Sequence, residues 1–388
     1  MSSTVFPNYT GKGIVNLMQS IATACGSIRA PYPQLDALPA TALGGARHIV
    51  LLVIDGLGQR TLDNHPASQN LRRHAISTMT SVFPSTTASA ITTFMTGLAP
   101  AQHGLTGWHM HLDEIGQTLA ILPLTARVGT SALPPETLTS RLFDYPTLFQ
   151  QLDRECWALA PQSIADSPFN VWHARGARRL AYNSLPELFA QLATLLREAQ
   201  TPRFIYAYYP DLDTRSHRHG TQSEQVQQTL AALDAGFGDL LNAAQGSDSW
   251  LIGTADHGFI DSPPQRVLNL DDHPQLTALL SRPLCGERRA AYCYVSTARA
   301  TAFEAYVRQH FGHCLDLRCS SELVSAGWFG PPPYHPRLAS RVGDYTLVMK
   351  GNWTIKDWLP GEKRHRMLGV HGGVSSDEMT VPLIAVKL

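Results

Sequence analysis

Side chains that bind metal ions or act as nucleophiles gather in five separated segments of this 388-residue chain. One segment, SVFPSTTASAITTFMTG at 81–97, is rich in hydroxyl groups. The other four carry acids and histidines, which are Asp55 in LLVIDGLG, Asp213 and His217 in DLDTRSHRHG, Asp256 and His257 in TADHGF, and His371 in GVHGG. Carboxylate oxygens and neutral imidazole nitrogens together suit Zn²⁺ or a similar divalent ion. These six groups are enough for two ions with three protein ligands each.

Such a pair of ions indicates phosphate ester chemistry. Two metals about 3.5 to 4 Å apart can stabilise the attacking and the leaving oxygen of an in-line displacement together. Ser85, Thr86 and Thr87 follow Pro84 and open a run that is compatible with a helix. The free N–H groups and the positive dipole at a helix start favour a bound phosphate. We therefore predict that one of these three hydroxyl residues is a covalent nucleophile, and the pattern does not choose among them.

Three apolar runs predict the strands that position the acids. They are HIVLLVI at 48–54, RFIYAYY at 203–209 and SWLIGT at 249–254. Unalternated Val, Ile and Leu are typical of parallel strands that are covered on both faces. Thr221 and Glu224 have the spacing of a capping box, which predicts a helix between the second and third runs. The alternation indicates an α/β domain with a central, mostly parallel sheet flanked by helices, and ligands in such domains lie at the carboxyl ends of the strands.

The remaining regions fit this alternation less well. No internal repeat is present, and we predict a single catalytic domain over 1–388. Residues 1–45 are predicted to form an N-terminal arm. Residues 270–340 combine β-like pieces with Pro-rich turns and are predicted to form an inserted cap or lid beside the site.

Composition limits the classes of partner and compartment. Lys and Arg together number 31, as do Asp and Glu, and hydrophobic residues make up 44% of the chain, which excludes intrinsic disorder. The absence of a basic excess argues against stable nucleic-acid binding and against a membrane surface. No apolar run approaches the roughly 18 residues of a membrane span. The N-terminus is a poor signal peptide and the six cysteines form no CxxC pair, so a cytoplasmic location is expected.

The five segments, in this order, resemble the type I phosphodiesterase/nucleotide pyrophosphatase family, which belongs to the alkaline phosphatase superfamily. The resemblance covers about 48 to 109, 203 to 262 and 365 to 388. It implies an alkaline-phosphatase-like layered fold and two divalent metal ions, taken as Zn²⁺, with no organic cofactor. It assigns Asp213, His217 and His371 to one ion and Asp55, Asp256 and His257 to the other.

The same resemblance selects the nucleophile. In the family pattern the nucleophilic threonine lies ten residues before the glycine of a TG pair, and counting back from Gly97 gives Thr87. Thr87 is then also a metal ligand. The implied reaction forms a phospho-threonine, which water hydrolyses with overall retention of configuration at phosphorus.

One position departs from the family pattern. The family commonly has an asparagine five residues after the histidine of an HG pair, as a donor to a phosphate oxygen, whereas this chain has Trp108 five residues after His103. We expect the phosphate contact to come instead from Thr106, His109 or the Thr87 amide. Trp108 could stack on a flat group of the substrate.

The expected function is hydrolysis of phosphodiester or nucleotide pyrophosphate bonds of a small molecule. A phosphomonoesterase or phosphonate-directed hydrolase is the alternative on the same fold. An alternative of another class is a non-catalytic metal- or phosphate-binding protein. Taken singly, Asp55 could be a turn former, Thr87 a helix cap, and Asp213 with His217 a helical surface pair. The hypothesis that the chain is an enzyme depends on all of these positions together. The sequence predicts neither the leaving group nor the oligomeric state.

Overall fold

The computed structural model describes residues 3–362 and 364–388. Its strands are β1 His48–Ile54, β2 Ala75–Thr80, β3 His109–Leu112, β4 Gln117–Ala120, β5 Thr125–Ala126, β6 Glu155–Pro161, β7 Arg178–Tyr182, β8 Arg203–Tyr209, β9 Ser249–Thr254, β10 Ile260–Asp261, β11 Val267–Asn269, β12 Cys285–Gly286, β13 Ala290–Cys293, β14 Leu315–Cys319, β15 Tyr345–Met349, β16 Thr354–Lys356, β17 Gly369–Val370 and β18 Thr380–Lys387.

The helices of the described residues connect and flank these strands. They are α1 Ile14–Ala24, α2 Ala40–Leu43, α3 Gln59–Asn64, α4 Gln69–Arg73, α5 Thr87–Thr96, α6 Pro100–His103, α7 Pro135–Leu142, α8 Gln162–Ala165, α9 Pro168–His173, α10 Leu185–Arg197, α11 Asp211–His219, α12 Glu224–Ala243, α13 Pro274–Leu279, α14 Ala300–Phe311, α15 Ser320–Ser325, α16 Leu338–Val342 and α17 Ser376–Met379. Short 3₁₀ turns lie at Phe149–Gln151, Pro264–Arg266, Leu270–Asp272 and Thr297–Arg299.

The larger layer is a seven-stranded sheet with the order β2-β18-β9-β1-β8-β6-β7. The five strands from β9 to β7 are parallel, whereas β18 is antiparallel to both β9 and β2. Every residue of β1 is buried, as its unbroken apolar run predicts. The predicted α/β class, with a central mostly parallel sheet and flanking helices, is confirmed.

The topology explains why the acids meet. β1 lies between β8 and β9, so the carboxyl ends of all three strands lie side by side. Asp55 directly follows β1, α11 begins two residues after β8, and Asp256 lies two residues after β9. Residues about 200 positions apart in sequence therefore reach one edge of the sheet.

A second seven-stranded sheet, with the order β14-β15-β13-β12-β3-β4-β5, adjoins this edge. Its β3–β5 hairpins come from 109–126 and its other strands from 285–349. The two parts meet where Gly286 of β12 pairs with His109 of β3. The region beside the site is thus built from two distant stretches of sequence rather than from 270–340 alone. The division into one domain with an arm at 1–45 and a cap at 270–340 stays a prediction.

The predicted capping box is wrong. Ser223, not Thr221, is the N-cap of α12, and its side chain accepts a hydrogen bond from the Val226 N–H at 3.3 Å. The Thr221 hydroxyl donates instead to Asp261 Oδ2 at 3.0 Å. A tertiary contact therefore takes the side chain that the local pattern assigned to the cap.

Two further sequence expectations concern the environment of the protein. Within the described ranges 3–362 and 364–388, no helix combines the length and the apolar composition that crossing a membrane requires. All six cysteines are free thiols, and five of them are buried. The cytoplasmic location stays a prediction.

Candidate metal centre

Two aspartates at adjacent strand ends each present one oxygen without a partner. Asp55 is only 1% exposed, and the Tyr208 hydroxyl donates to its Oδ2. Asp256 Oδ1 accepts the backbone N–H groups of Gly56 and His257, each at 3.0 Å. The other oxygens, Asp55 Oδ1 and Asp256 Oδ2, are buried and make no hydrogen bond to any described residue. The bonded oxygen fixes each carboxylate, and the second oxygen is left for a ligand.

Three imidazoles are held in one tautomer by backbone carbonyls. The contacts are His217 Nδ1 to Gly369 O at 2.8 Å, His257 Nδ1 to Gly258 O at 3.1 Å and His371 Nδ1 to Ser85 O at 3.1 Å. Because a carbonyl only accepts, each Nδ1 carries a hydrogen in these contacts, and the lone pair of a neutral ring lies on Nε2. His371 Nε2 lies 3.2 Å from His217 Nε2, so two lone pairs face each other at a distance that suits a shared cation.

The pKa shifts of these acids and imidazoles are consistent with a cation-binding site. Burial, followed by the nearby charges of Asp256 and Asp213, raises the pKa of Asp55 well above its usual range. Burial, together with His257 and His217, lowers the pKa of His371 well below its usual range. Without a metal, Asp55 therefore favours its protonated form and His371 its neutral form. Asp213 and His217 behave differently, because despite burial their mutual attraction lowers the pKa of Asp213 and raises that of His217. A divalent cation would favour the ionised form of Asp55 and would bind the neutral imidazole of His371, so both side chains could serve as ligands.

The ligand atoms form two overlapping groups, each with its atoms within 4.8 Å of one another. They are Asp213 with His217 and His371, and Asp55 with Asp213 and His257. Asp213 belongs to both groups, and its buried Oδ1 has no hydrogen-bond partner among the described residues. Asp256 Oδ2 adjoins the second group at 3.3 Å from His257 Nε2. All six predicted side chains lie together and offer two overlapping groups of candidate metal ligands, while the number of ions and the division of the ligands between them stay predictions.

Short backbone elements bring His371 to the strand ends. It directly follows β17, which pairs with β10 through Val370 and Ile260. Gly56 has a positive φ of 77°, and a Cβ added there would lie 2.5 Å from the Phe259 ring. A larger residue at that position would therefore strain the backbone and push apart the segments that carry Asp55 and His257.

A buried ion pair holds the loop that follows His371. Arg289 Nη2 lies 2.9 Å from Glu378 Oε2, and both side chains are buried. Glu378 Oε1 also accepts the Gly373 N–H at 2.8 Å. Burial opposes the charged form of Glu378, but Arg289 and these donors outweigh it and lower the pKa of Glu378. Sequence reasoning missed this pair, although the SSDEM segment after the His371 loop contains the acid.

We expect Glu378→Gln to reduce the free energy of unfolding by about 3 to 5 kcal/mol, because it leaves Arg289 buried without its counter-charge. Since the folded-state pKa is lowered, the contribution of Glu378 is complete above the ordinary glutamate pKa and is lost as the pH falls through the lowered value. Denaturant unfolding at neutral pH measures the change. Glu304→Gln, on the surface of α14, is the control and should have little effect. Equal unfolding midpoints in the two variants would contradict the anchoring role.

The three candidate hydroxyl residues point to different partners. Ser85 Oγ donates to Gly373 O at 2.8 Å, and Thr86 Oγ1 donates to Glu287 Oε1 at 2.6 Å. Thr87 Oγ1 instead lies 3.2 Å from His257 Nε2. Thr87 is the first residue of α5, whose N-terminus receives no side-chain cap. Of the three, Thr87 is the hydroxyl that faces the acids and imidazoles.

Two cavities open at Thr87. The first, the apolar cavity, has a volume of about 540 Å³ and is lined by Asp55, Thr87, Trp108, Tyr206, Asp213 and mainly apolar side chains such as Ile91, Met95, Leu159, Phe169 and Leu180. The second, the charged cavity, has a volume of about 360 Å³ and is lined by Thr87, Trp108, His109, Arg127, Asp213, His217, Glu287, Arg288, Lys356, Glu362 and His371, among others. Trp108 is 40% exposed and lines both cavities.

The predicted phosphate contacts lie in different places. His109 lines the charged cavity, and burial, with Arg127 and Lys356, lowers its pKa to about 3, so that it stays neutral. The backbone N–H of Trp108 donates a hydrogen bond to Glu287 Oε1 at 2.7 Å. Thr106 is fully buried, and its hydroxyl donates to Arg341 O at 3.4 Å. Trp108 therefore lines both cavities and His109 lines the charged cavity, whereas Thr106 is not among the described lining residues of either cavity.

Sequence reasoning also missed the charged residues on the turn between β12 and β13. Glu287 and Arg288 line the charged cavity, and burial raises the pKa of Glu287 to about 7. The signal that could have drawn attention to them is the run GERR, which interrupts an otherwise apolar stretch from Leu284 to Val295.

Solved structures share this fold. The chain is similar to murine ectonucleotide pyrophosphatase/phosphodiesterase 5, an inactive variant of which was solved in complex with AMP, at 18% identity and a TM-score of 0.63, with 87% of each chain covered. The human counterpart has 18% identity, the same coverage and a TM-score of 0.64. Phosphonoacetate hydrolase from Sinorhizobium meliloti, in complex with phosphonoformate, has 17% identity and a TM-score of 0.64, with 88% of this chain and 91% of that chain covered.

The sequence itself identifies the family. Among curated protein sequences, none matches this chain. A family model, described as type I phosphodiesterase/nucleotide pyrophosphatase, matches residues 49–120 and 141–373, which is well over half of the chain. These ranges contain all six acids and imidazoles of the cluster together with Thr87. The chain therefore belongs to the type I phosphodiesterase/nucleotide pyrophosphatase family of the alkaline phosphatase superfamily, and it is a metal-dependent hydrolase.

Proposed function

We propose that the chain hydrolyses phosphodiester or nucleotide pyrophosphate bonds through a covalent phospho-threonine on Thr87. The observation that carries the proposal is the position of the Thr87 hydroxyl, 3.2 Å from His257 Nε2 and at the opening of two cavities. A phosphodiester or pyrophosphate carries a substituent on each side of the reacting phosphorus. Two cavities that meet at the nucleophile offer a place for each substituent, whereas a simple monoester would fill only one.

Two divalent ions, which we take as Zn²⁺, belong to this proposal. Asp213, His217 and His371 would hold one ion, and Asp55, Asp256 and His257 would hold the other, with Thr87 beside it. Mixed carboxylate and imidazole ligands suit Zn²⁺. When bound, the ions would offset the charge of the phosphoryl oxygens, favour ionisation of the Thr87 hydroxyl and stabilise the departing oxygen.

The first step is an attack by Thr87. Its Oγ1 forms a bond to phosphorus, while the bond from phosphorus to the leaving oxygen breaks on the opposite side. The hydroxyl proton passes to water, and the leaving group takes up a proton from water. The uncapped N–H groups in the first turn of α5 and the positive end of its dipole favour the anionic phosphoryl group.

The second step restores the enzyme. A water molecule attacks the phosphorus of the phospho-threonine, the bond from phosphorus to Thr87 Oγ1 breaks, and the oxygen regains a proton. The product is a phosphate monoester when the substrate is a diester. Two in-line displacements give overall retention at phosphorus, which a chiral phosphorothioate substrate would report.

A second candidate is hydrolysis of phosphomonoesters or phosphonates. Trp108 is the reason to consider it, because this residue occupies the position where the family pattern has an asparagine donor to a phosphate oxygen, so the preference between diesters and monoesters depends on the other groups of the site. The phosphonoacetate hydrolase on the same fold shows that phosphonates are accommodated by one protein of this architecture. A non-catalytic binding protein would be expected to have lost a ligand or the nucleophile, yet all seven positions carry chemically competent residues.

Activity on matched chromogenic esters tests the proposal. We expect the zinc-loaded protein to hydrolyse bis(p-nitrophenyl) phosphate with a kcat/KM at least about tenfold above that for p-nitrophenyl phosphate, equal to about 1.4 kcal/mol of transition-state free energy. A chelator should abolish both activities, and added Zn²⁺ should restore them. A preference for the monoester would support the second candidate. A protein that binds two ions and turns over neither ester would support the non-catalytic class.

A further inference from the structure

Most of the positive charge in the charged cavity is neutralised within the protein. Arg127 Nη2 lies 2.6 Å from Asp357 Oδ1 and 3.1 Å from Glu362 Oε2. Lys356 Nζ lies 3.0 Å from Glu362 Oε1. Two cations thus face two carboxylates, and this network is expected to hold the wall of the cavity rather than to attract a ligand.

Arg288 differs from both of these cations. Among residues 3–362 and 364–388, no carboxylate oxygen lies within 4.0 Å of its guanidinium. Arg288 Nη2 lies 3.4 Å from His365 Nε2, and Cζ lies 5.6 Å from the centre of the Trp358 ring. The adjacent Glu287 makes no ion pair with it, and Glu287 Oε1 accepts hydrogen bonds from the Thr86 hydroxyl and the backbone N–H of Trp108. The positive charge of Arg288 is therefore not offset by an ion pair.

The location of Arg288 links this charge to the reacting group. Arg288 lines the same cavity as Thr87, Asp213, His217 and His371. It is also only partly exposed, so water screens its charge less than at an open surface. The cavity is small, with a volume of about 360 Å³, which suits a compact substituent rather than a polymer. His109 lines it as a neutral imidazole and adds no charge.

We propose that Arg288 binds an oxyanion, either a carboxylate or a second phosphate, on the substrate substituent that enters the charged cavity. The substrate class is then a phosphoryl compound with an anionic group a few bonds from the reacting phosphorus. This inference rests on the proposed function, since it assigns one half of the same site. The planar guanidinium suits either oxyanion because its N–H groups can donate two parallel hydrogen bonds.

Three phosphonates with one common head group test the proposal. Methylphosphonate has no second anionic group, phosphonoformate adds a carboxylate, and methylenediphosphonate adds a second phosphonate. Inhibition constants against bis(p-nitrophenyl) phosphate are measured for the zinc-loaded wild type, Arg288→Met, Arg288→Lys and Arg318→Met. Arg318 lies exposed on β14 and outside the described lining of both cavities, so it is the matched control.

In the wild type we expect at least one of the two probes with a second anionic group to bind about tenfold or more tightly than methylphosphonate, as a charged hydrogen-bonded contact provides. Arg288→Met should bring that affinity ratio close to one, and Arg288→Lys should give an intermediate ratio. Arg318→Met should keep the wild-type ratio. Unfolding midpoints show that each variant is folded. If Arg288→Met loses affinity for phosphonoformate alone, the group that Arg288 binds is a carboxylate. If it loses affinity for methylenediphosphonate alone, the group is a phosphate.

Two results would overturn the proposal. In the first, the wild type binds all three probes equally. In the second, the affinity ratio survives in Arg288→Met, which would mean that the second anion binds elsewhere, for example at the metal ions. Calorimetric titration with the same probes measures binding without ester hydrolysis, so the anion site can be tested independently of the proposed function. If no ester is hydrolysed but the affinity ratio depends on residue 288, the anion site stands without the activity. If diesters are hydrolysed but the affinity ratio does not depend on residue 288, the proposed function holds and the proposed anion site is wrong.

Discussion

The Thr87→Ala protein is expected to lose diester hydrolysis by at least about a thousandfold, because a covalent nucleophile has no substitute within the site. Its metal content should stay at the wild-type level, since the six acids and imidazoles remain. Thr87 is the first residue of α5, so alanine is also well tolerated by the local backbone. Steady-state kinetics and elemental analysis of the same preparation measure the two quantities together.

Thr87→Ser is the matched control for this prediction. It keeps a hydroxyl on the same carbon and should retain measurable turnover and the covalent intermediate. Rapid acid quenching of the serine variant with a radiolabelled substrate should trap phosphate on the protein, whereas the alanine variant should trap none. Near-wild-type hydrolysis by Thr87→Ala would remove Thr87 as the nucleophile.

The second large effect is expected from Asp213→Ala. Because Asp213 belongs to both compact ligand groups, we expect its loss to reduce the occupancy of both ions and to abolish turnover. Asp256→Asn should lower the metal content less than Asp213→Ala does. The asparagine oxygen can still accept hydrogen bonds from the backbone N–H groups of Gly56 and His257. Elemental analysis after gel filtration measures the number of ions per chain.

Asp211→Asn is the control for the loss of one negative charge from this helix. Asp211 is the exposed first residue of α11, two positions before Asp213, and is not part of either compact ligand group. Its metal content and activity should match the wild type. An Asp213→Ala protein that keeps two ions and its activity would show that Asp213 does not hold metal.

Much of the fold could be predicted because the three central strands of the larger sheet are largely buried on both faces. Such strands leave a continuous apolar run in the sequence, and β1, β8 and β9 were recognised from those runs. The rule that ligands lie at the carboxyl ends of parallel strands then placed Asp55 and Asp256 at one edge. Helical spacing placed Asp213 and His217 on one face of α11.

The charged cavity could not be predicted, because it forms where distant loops pack together. No local pattern indicates that β3 would pair with β12, or that Arg288 would lie in one cavity with Thr87. Thr106 illustrates the converse. It is close to Trp108 in sequence, yet its hydroxyl donates to the Arg341 carbonyl and Thr106 is not among the described lining residues of either cavity. Short β-pieces and turns carry too little periodicity to fix such contacts in advance.

The most direct test of the central claim is anomalous X-ray diffraction from crystals of the zinc-loaded protein, recorded on both sides of the zinc absorption edge. We predict two anomalous peaks beside Thr87. One lies among Asp213, His217 and His371, and the other is next to Asp55 and His257. A single peak, peaks away from these side chains, or no peak in an active crystalline preparation would contradict a two-metal site.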